Sequence, residues 1–165
     1  MTTTQLAPVL SRKSLDNTYR YAGGTVSILI AGEDNGGQFG MWEAVQKPGN
    51  EPPLHVHHTT DETFHILEGK MRFLVGDQIH DAGPGDVVFA PRGIPHTFRI
   101  KSAVARVVTL CTPSGFEEWF RQLREPARSF DLPEDVLPLA ESDFPKMLAL
   151  GNKLGTEIIP QEVEF

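Results

Sequence analysis

Short apolar stretches, many of them alternating with polar residues, recur between residues 25 and 112. Residues that favour tight turns separate them, as at 35–37 and 83–86. This spacing is typical of an antiparallel β-barrel or sandwich. We therefore expect nine strands, over residues 25–31, 38–45, 54–58, 62–67, 71–75, 78–81, 86–90, 96–101 and 105–112.

The pattern becomes helical after Pro113. Ser114 and Glu117 have the spacing of a capping box, and the helix should end before Pro126. The apolar face of this helix comprises Phe116, Trp119, Phe120 and Leu123. Such a face either packs on the barrel or closes the barrel mouth against a flat aromatic substrate.

A second helix is expected from residue 142 or 143 to Leu150, with Pro145 in its first turn and Gly151 as its C-terminal stop. The chain thus divides into an N-terminal arm (1–24), a barrel (25–113) and a helical extension packed on the barrel (114–165). The arm is either a strand exchanged between the subunits of a dimer or a solvated tail.

Length and charge narrow the class of protein. A chain of 165 residues suits one domain, and a net charge of −7 disfavours nucleic acids and anionic membranes as partners. The first thirty residues hold no charged-then-apolar leader, and no apolar stretch approaches a membrane span, so we expect a cytoplasmic protein. The single cysteine, Cys111, lies in an apolar strand and is interpreted as a core residue.

Three histidines and a glutamate stand at strand positions that suit one metal ion. His55 and His57 are two residues apart, so both side chains can face the same side of a strand. Glu62 opens the next strand, and His96 opens a later one after a proline-rich turn. Imidazoles with one carboxylate suit divalent Fe, Ni, Mn, Co, Cu or Zn, and four protein ligands leave two octahedral positions for substrate. The other histidines, His58, His65 and His80, are expected to be structural or exposed.

These residues resemble the two motifs of the cupins. Gly49, His55, His57, Glu62 and Gly69 match the first motif in full. The second motif is matched by Gly85, Pro91, Gly93 and His96, with Ile100 in place of its final Asn, which is not a metal ligand in the family. The resemblance implies an all-β fold, the double-stranded β-helix or jelly-roll barrel, here with a short C-terminal helical extension. Small cupins commonly form homodimers, and the same state is expected here.

The barrel followed by the helical tail resembles one cupin subgroup, the quercetin 2,3-dioxygenase-like proteins. That resemblance implies a dioxygenase that opens a flavonol or a related enolisable aromatic molecule with O2 and releases carbon monoxide. Glu62 would accept the substrate's hydroxyl proton as well as bind metal. The expected pocket side chains are Phe64, Phe73, Phe89, Phe98, Phe116, Trp119 and Phe120.

Two alternatives remain open, because a fold does not determine a function. One is a non-oxidative metal-dependent isomerase, decarboxylase or lyase; an acid substrate would then need an inward cation, for which Arg72, Arg92 and Arg99 are candidates. The other is a non-catalytic protein that binds metal and ligand as a sensor or store. Thiol dioxygenases are disfavoured, since that branch resembles a three-histidine site and this chain retains Glu62.

Overall fold

A computed structural model describes residues 6–21, 23–134, 136 and 143–165. The strands are β1 (Thr18–Tyr21), β2 (Gly24–Ile30), β3 (Gly40–Gln46), β4 (His55–His57), β5 (Asp61–Glu68), β6 (Met71–Val75), β7 (Gln78–Ala82), β8 (Val87–Ala90), β9 (His96–Ile100), β10 (Ala105–Thr112) and β11 (Thr156–Ile158). The helices are α1 (Gly32–Asn35), α2 (Glu118–Leu123) and α3 (Phe144–Lys153), and a 3₁₀ turn covers Leu15–Asn17.

The strands form two antiparallel sheets that face each other. One has six strands in the order β1-β2-β3-β10-β5-β8, and the other has five in the order β11-β4-β9-β6-β7. All nine predicted strands are present, with ends shifted by at most two residues, and the all-β cupin-like fold with a C-terminal helix is confirmed. β1 and β11 were not predicted.

Alternation along the strands builds the core between the sheets. In β10 every second residue faces inward, so that Val107 and Cys111 are buried while Arg106 lies outside. The largest fully buried side chains include Ile66, Met71 and Phe73. Cys111 is completely buried, and burial raises the pKa of its thiol well above the usual value. Its interpretation as a core residue is therefore confirmed.

The predicted capping box of the first C-terminal helix is wrong. α2 begins at Glu118, and the carboxylate of Glu117 instead accepts hydrogen bonds from the backbone N–H groups of Gly32 (2.8 Å) and Gly115 (2.7 Å). Glu117 is buried, and it therefore ties α1 to the turn that precedes α2. A contact between positions 32 and 117 is long-range, so the local spacing of Ser114 and Glu117 could not predict it.

The predicted stop of the second helix is also wrong. Gly151 lies inside α3, and the helix continues to Lys153, after which Gly155 adopts a φ of +69°. A side chain at Gly151 would come within 3.2 Å of the Thr156 carbonyl oxygen and 3.8 Å of the Trp119 ring. Gly151 thus permits close packing rather than ending the helix. Pro145 occupies the first turn, as predicted.

The N-terminal arm contacts its own chain. β1 pairs with β2, and the backbone N–H of Ala127 donates to the Thr18 carbonyl (2.8 Å) on the other side. Lys13 donates to the buried carboxylate of Glu43 (2.9 Å). Strand exchange in a dimer stays a prediction. Within the part of the chain that the structure describes, no helix has the length and apolar character needed to cross a membrane.

Candidate metal centre

His55, His57, Glu62 and His96 converge from three strands. His55 on β4 lies directly opposite His96 on β9 in the ladder, and His57 follows two residues later on the same face. Glu62 enters from β5 in the other sheet. One potential ligand atom from each of the four residues lies within 4.8 Å of all the others. The side chains are buried, with His57 1% and Glu62 6% exposed.

The turn before β9 links the two motif segments. Gly93 adopts a φ of +78°, a conformation that strains residues with a side chain. Its backbone N–H donates to the His57 carbonyl (2.8 Å). The turn therefore holds the start of β9, and with it His96, beside the end of β4.

Each imidazole is oriented by a partner at Nδ1. His55 donates to the Pro53 carbonyl (2.9 Å) and His96 donates to the Ile94 carbonyl (3.1 Å). A carbonyl only accepts, so Nδ1 carries the proton and the lone pair of Nε2 faces the centre. Nδ1 of His57 lies 2.8 Å from Thr156 Oγ1, on the neighbouring strand β11. Such outer partners are typical of metal-binding histidines.

Glu62 lies between two of these rings. Its Oε2 is 3.1 Å from His96 Nε2 and 3.3 Å from His57 Nε2. Burial raises the pKa of the carboxyl group, but hydrogen bonds and charge at His57 and His96 outweigh it, and the pKa lies well below its usual value. Glu62 is therefore ionised and can offer a negative oxygen ligand.

The protonation behaviour of the histidines fits the same function. Burial, followed by the nearby His96 and His57, lowers the pKa of His55 to about 3. Burial also lowers the pKa of His96, but its contacts with Glu62 prevail and raise it. Nε2 of His57 is buried, and its 3.3 Å contact with Glu62 Oε2 is not a well-aligned hydrogen bond in the described chain. The low pKa of His55, the anionic oxygen of Glu62 and this poorly satisfied nitrogen together fit a divalent cation.

An aromatic cavity adjoins this centre. It encloses about 530 Å³, part of it open to solvent, and includes His55, His57 and Glu62 in its wall. The Phe116 ring lies edge-on to the His57 ring at 4.9 Å and stacks on Trp42 at 5.8 Å. The aromatic side chains of the wall are Tyr21, Trp42, Phe64, Phe98, Phe116 and Phe120. Tyr21 was not predicted because it lies on β1, a strand that the sequence pattern did not indicate. Trp42 was not predicted because alternation along β3 does not separate cavity from core.

The remaining predicted pocket residues lie elsewhere. Phe73 is in the core behind the cavity, where its ring packs on those of Phe64 (5.1 Å) and Phe98 (5.7 Å). Phe89 is 56% exposed, because the register of β8 on β5 turns Val88 and Ala90 inward instead. The prediction for Phe89 is wrong. Trp119 lines a second, adjacent cavity.

The candidate cations from the sequence do not supply an inward charge. Arg72 pairs with Asp81 (2.6 Å) and Arg92 pairs with Asp61 (2.7 Å) at the surface. Arg99 lies over the ring of Phe165, 5.2 Å from its centroid. Within the described chain, the arginine that lines a cavity beside the centre is Arg124, at the end of α2. His58, His65 and His80 are exposed, as expected.

Comparison with known proteins places this architecture in a family. The family described as "Cupin domain" matches residues 42–112, which include all four converging side chains. This segment of the protein is a cupin domain. A quercetin 2,3-dioxygenase of Bacillus subtilis (strain 168) is 31% identical over 99 residues, which make up 60% of this chain and 29% of that protein. This chain therefore spans less than a third of that relative's length.

Solved structures show the same fold. KdgF from Halomonas sp. superimposes with a TM-score of 0.59 at 14% identity, over 68% of this chain and 99% of that one. A predicted oxalate decarboxylase from Thermotoga maritima gives a TM-score of 0.56 at 20% identity, over 64% and 99%. At these identities the similarity concerns the barrel alone.

Proposed function

We propose that this cupin is a metal-dependent dioxygenase that opens a flavonol or a related enolisable aromatic molecule with O2. The observation that carries the proposal is the convergence of three anchored imidazoles and an ionised carboxylate on the wall of an aromatic cavity. The 31% identity to a quercetin 2,3-dioxygenase supports the substrate class.

His55, His57, Glu62 and His96 would hold one divalent Fe, Ni, Mn, Co, Cu or Zn ion through three Nε2 atoms and a carboxylate oxygen. When bound, such an ion supplies a Lewis acid that favours loss of a proton from a coordinated hydroxyl and, if redox-active, chemistry with O2. Because the ring Nδ1 atoms of His55 and His96 are held by carbonyls, the ligand geometry is set before the ion arrives.

The protein's own residues would bind the substrate and move its proton. Trp42 and Phe116 offer flat faces to an aromatic ring, and Phe64 and Phe98 close the opposite part of the wall. Glu62 accepts the proton of the enolic hydroxyl, which leaves the substrate as an enolate. In the overall reaction both atoms of O2 enter the ring-opened product and one ring carbon leaves as carbon monoxide, so no external reductant is needed.

A non-oxidative reaction on an organic acid is the second candidate. The observation that favours it is Arg124, a cation in the wall of the cavity next to His55. Both candidates need the same four ligands, and they differ in whether O2 is consumed.

We also propose that the protein is cytoplasmic and acts as a homodimer. Light scattering on the purified protein would test the dimer.

Oxygen consumption tests the proposal. Metal-free protein is reloaded separately with each of the six ions and mixed with quercetin, and O2 uptake and carbon monoxide are measured. We expect uptake with a redox-compatible ion, loss of uptake in His57→Ala, and normal uptake in His58→Ala, whose side chain is exposed and pairs with Glu157. A fully loaded protein that consumes no O2 with quercetin or simpler enolisable compounds would overturn the dioxygenase.

A further inference from the structure

A second cavity lies beneath the C-terminal extension, next to the first. Its empty space, part of it open to solvent, is about 550 Å³, and its wall shares Tyr21, Pro52, His55 and Phe116 with the aromatic cavity. Its far wall comes from α2, α3 and β11, through Trp119, Arg124, Met147, Thr156 and Ile158. The two cavities therefore meet at His55 and Phe116, and a ligand that occupied both would have to pass these two side chains.

Two buried donors in this wall lack a well-aligned hydrogen bond. Trp119 is 7% exposed, and its Nε1 lies near the Tyr21 hydroxyl, but no hydrogen bond of good geometry joins them in the described chain. The Nε of Arg124 is likewise buried and unpartnered there. Indole and guanidinium groups only donate, so both positions require an acceptor. Buried donors without partners are uncommon in proteins, and two in one cavity indicate a ligand that supplies the acceptor.

Arg124 lacks the carboxylate partner that several other arginines of the fold have. Arg72, Arg92, Arg106 and Arg121 each contact a carboxylate. In contrast, Arg124 forms no ion pair with any residue that the structure describes; it donates weakly to the Leu123 carbonyl (3.3 Å) and lies 5.2 Å from the Tyr21 ring centroid. Its positive charge is thus left for another partner.

Glu51 also lines this cavity, and each of its carboxylate oxygens accepts one backbone hydrogen bond. One accepts from the backbone N–H of Gly49 (3.0 Å) and the other from that of Ile100 (3.0 Å). These hydrogen bonds hold Glu51 against the loop and the end of β9. In the described chain Glu51 forms no ion pair with Arg124, although both line this cavity.

We infer that the second cavity binds a carboxylate of the substrate, with Trp119 Nε1 and Arg124 as its donors. The inference rests on the proposed site, because the rest of the molecule would lie in the aromatic cavity beside His55, and it narrows the substrate class to aromatic acids. Two donors of different geometry, one of them charged, suit an oxyanion better than a neutral oxygen. Phe116 and Met147 supply apolar contacts on the way to it.

Equilibrium binding of a matched pair of probes, 2-naphthoate and 2-naphthamide, tests this inference by calorimetry. The two share an apolar body and differ in charge. We expect the wild-type protein to bind the acid about tenfold or more tightly than the amide, in metal-loaded and in metal-free form. The metal-free measurement removes any contribution from carboxylate binding to an ion, and O2 uptake plays no part, so failure of the dioxygenase would leave this result standing.

Variants locate the effect. Arg124→Gln should abolish the preference for the acid, and Trp119→Phe, which keeps an aromatic ring but loses the N–H, should reduce it several-fold. Arg121→Gln is the matched control: it removes the same charge from the same helix, but Arg121 pairs with Glu33 and Glu118 instead of facing the cavity. Thermal melting verifies that each variant is folded, and Arg124→Met, which removes both the charge and the donors, replaces Arg124→Gln if that variant unfolds.

Several outcomes would overturn the inference. If the wild-type protein binds acid and amide equally, or does not bind the acid, the second cavity is not a carboxylate subsite. If the preference for the acid disappears when the metal is removed, the carboxylate binds at the metal centre instead. A preference that survives in Arg124→Gln, or in its Met replacement, would show that Arg124 is not a donor to the carboxylate.

Discussion

The two sides of His55 differ in how their polar groups are satisfied. On the metal side, the Nδ1 atoms have partners within the protein, and Glu62 lies against two imidazoles. On the side of the C-terminal extension, Trp119 and Arg124 have buried donors that lack a well-aligned hydrogen bond in the described chain. The difference teaches that the metal centre is organised by the fold itself, whereas the second cavity is completed by what it binds.

The largest effect is expected from a variant of Glu62 at the metal centre, which separates the role of this residue in metal binding from its role in proton transfer. In Glu62→Gln the shape of the side chain is kept while the negative charge is lost. We expect metal to remain bound with reduced affinity, and kcat to fall about 100-fold or more, because the enolic proton loses its acceptor. Metal content and O2 uptake are measured on the same sample. Unchanged kcat at full metal occupancy would contradict the role of Glu62 as a base.

A smaller effect is expected at the outer partner of His57. Thr156→Val keeps the side-chain volume but removes the hydroxyl that contacts Nδ1 at 2.8 Å. Metal affinity should fall about 10- to 100-fold, because the ring loses its orientation. Thr156→Ser, which retains a hydroxyl, is the control and should bind metal nearly as well as the wild type. Metal affinity is measured by competition with a chelator. If the Val and Ser variants bind the metal equally well, the hydroxyl on β11 does not orient His57 for metal binding.

The smallest effect concerns a buried carboxylate away from both cavities. Glu43 is held by Arg106 (2.6 Å) and Lys13 (2.9 Å). Burial raises its pKa, but these two contacts outweigh burial and lower it below the usual 4.5. A carboxyl group whose pKa is lower in the folded protein stabilises the fold at any pH above its pKa in the unfolded chain. This stabilisation is lost as the pH falls through the pKa of the folded state.

Glu43→Gln should therefore lower the free energy of unfolding by about 1 kcal/mol at pH 7, since its partners are partly exposed. The difference in free energy of unfolding between variant and wild type should become smaller as the pH is lowered below the pKa that Glu43 has in the unfolded chain. Urea unfolding at several pH values measures this difference. A difference that stays constant with pH would mean that Glu43 contributes through packing alone.

Local chemistry made most of the metal centre predictable. His55 and His57 share a face through simple strand alternation, and Glu62 and His96 open strands after recognisable turns. Phe89 was assigned wrongly, because the direction of its side chain depends on the register of β8 against β5, which alternation within β8 leaves undetermined. The positions of the strands could be predicted from the local sequence, but the register of one strand against its neighbour could not.

Long-range contacts explain the other omissions. Thr156 lies on a three-residue strand that has no periodic pattern of its own, and only its pairing with β4 brings it to His57. Arg124 looks like any helix-terminal arginine in the sequence, and its distinction is the lack of a partner, which only the folded chain reveals. Gly151 resembled a helix stop because its close contact with Thr156 and Trp119 is likewise invisible locally.

The position of Thr156 also sets the order in which the centre is assembled during synthesis. The carbonyls that orient His55 and His96 each stand two residues from their histidine and leave the ribosome with it. The hydroxyl that orients His57 follows 99 residues later. The orienting partners of His55 and His96 are thus available as soon as these histidines are made, whereas the partner of His57 is available only after β11 has been translated.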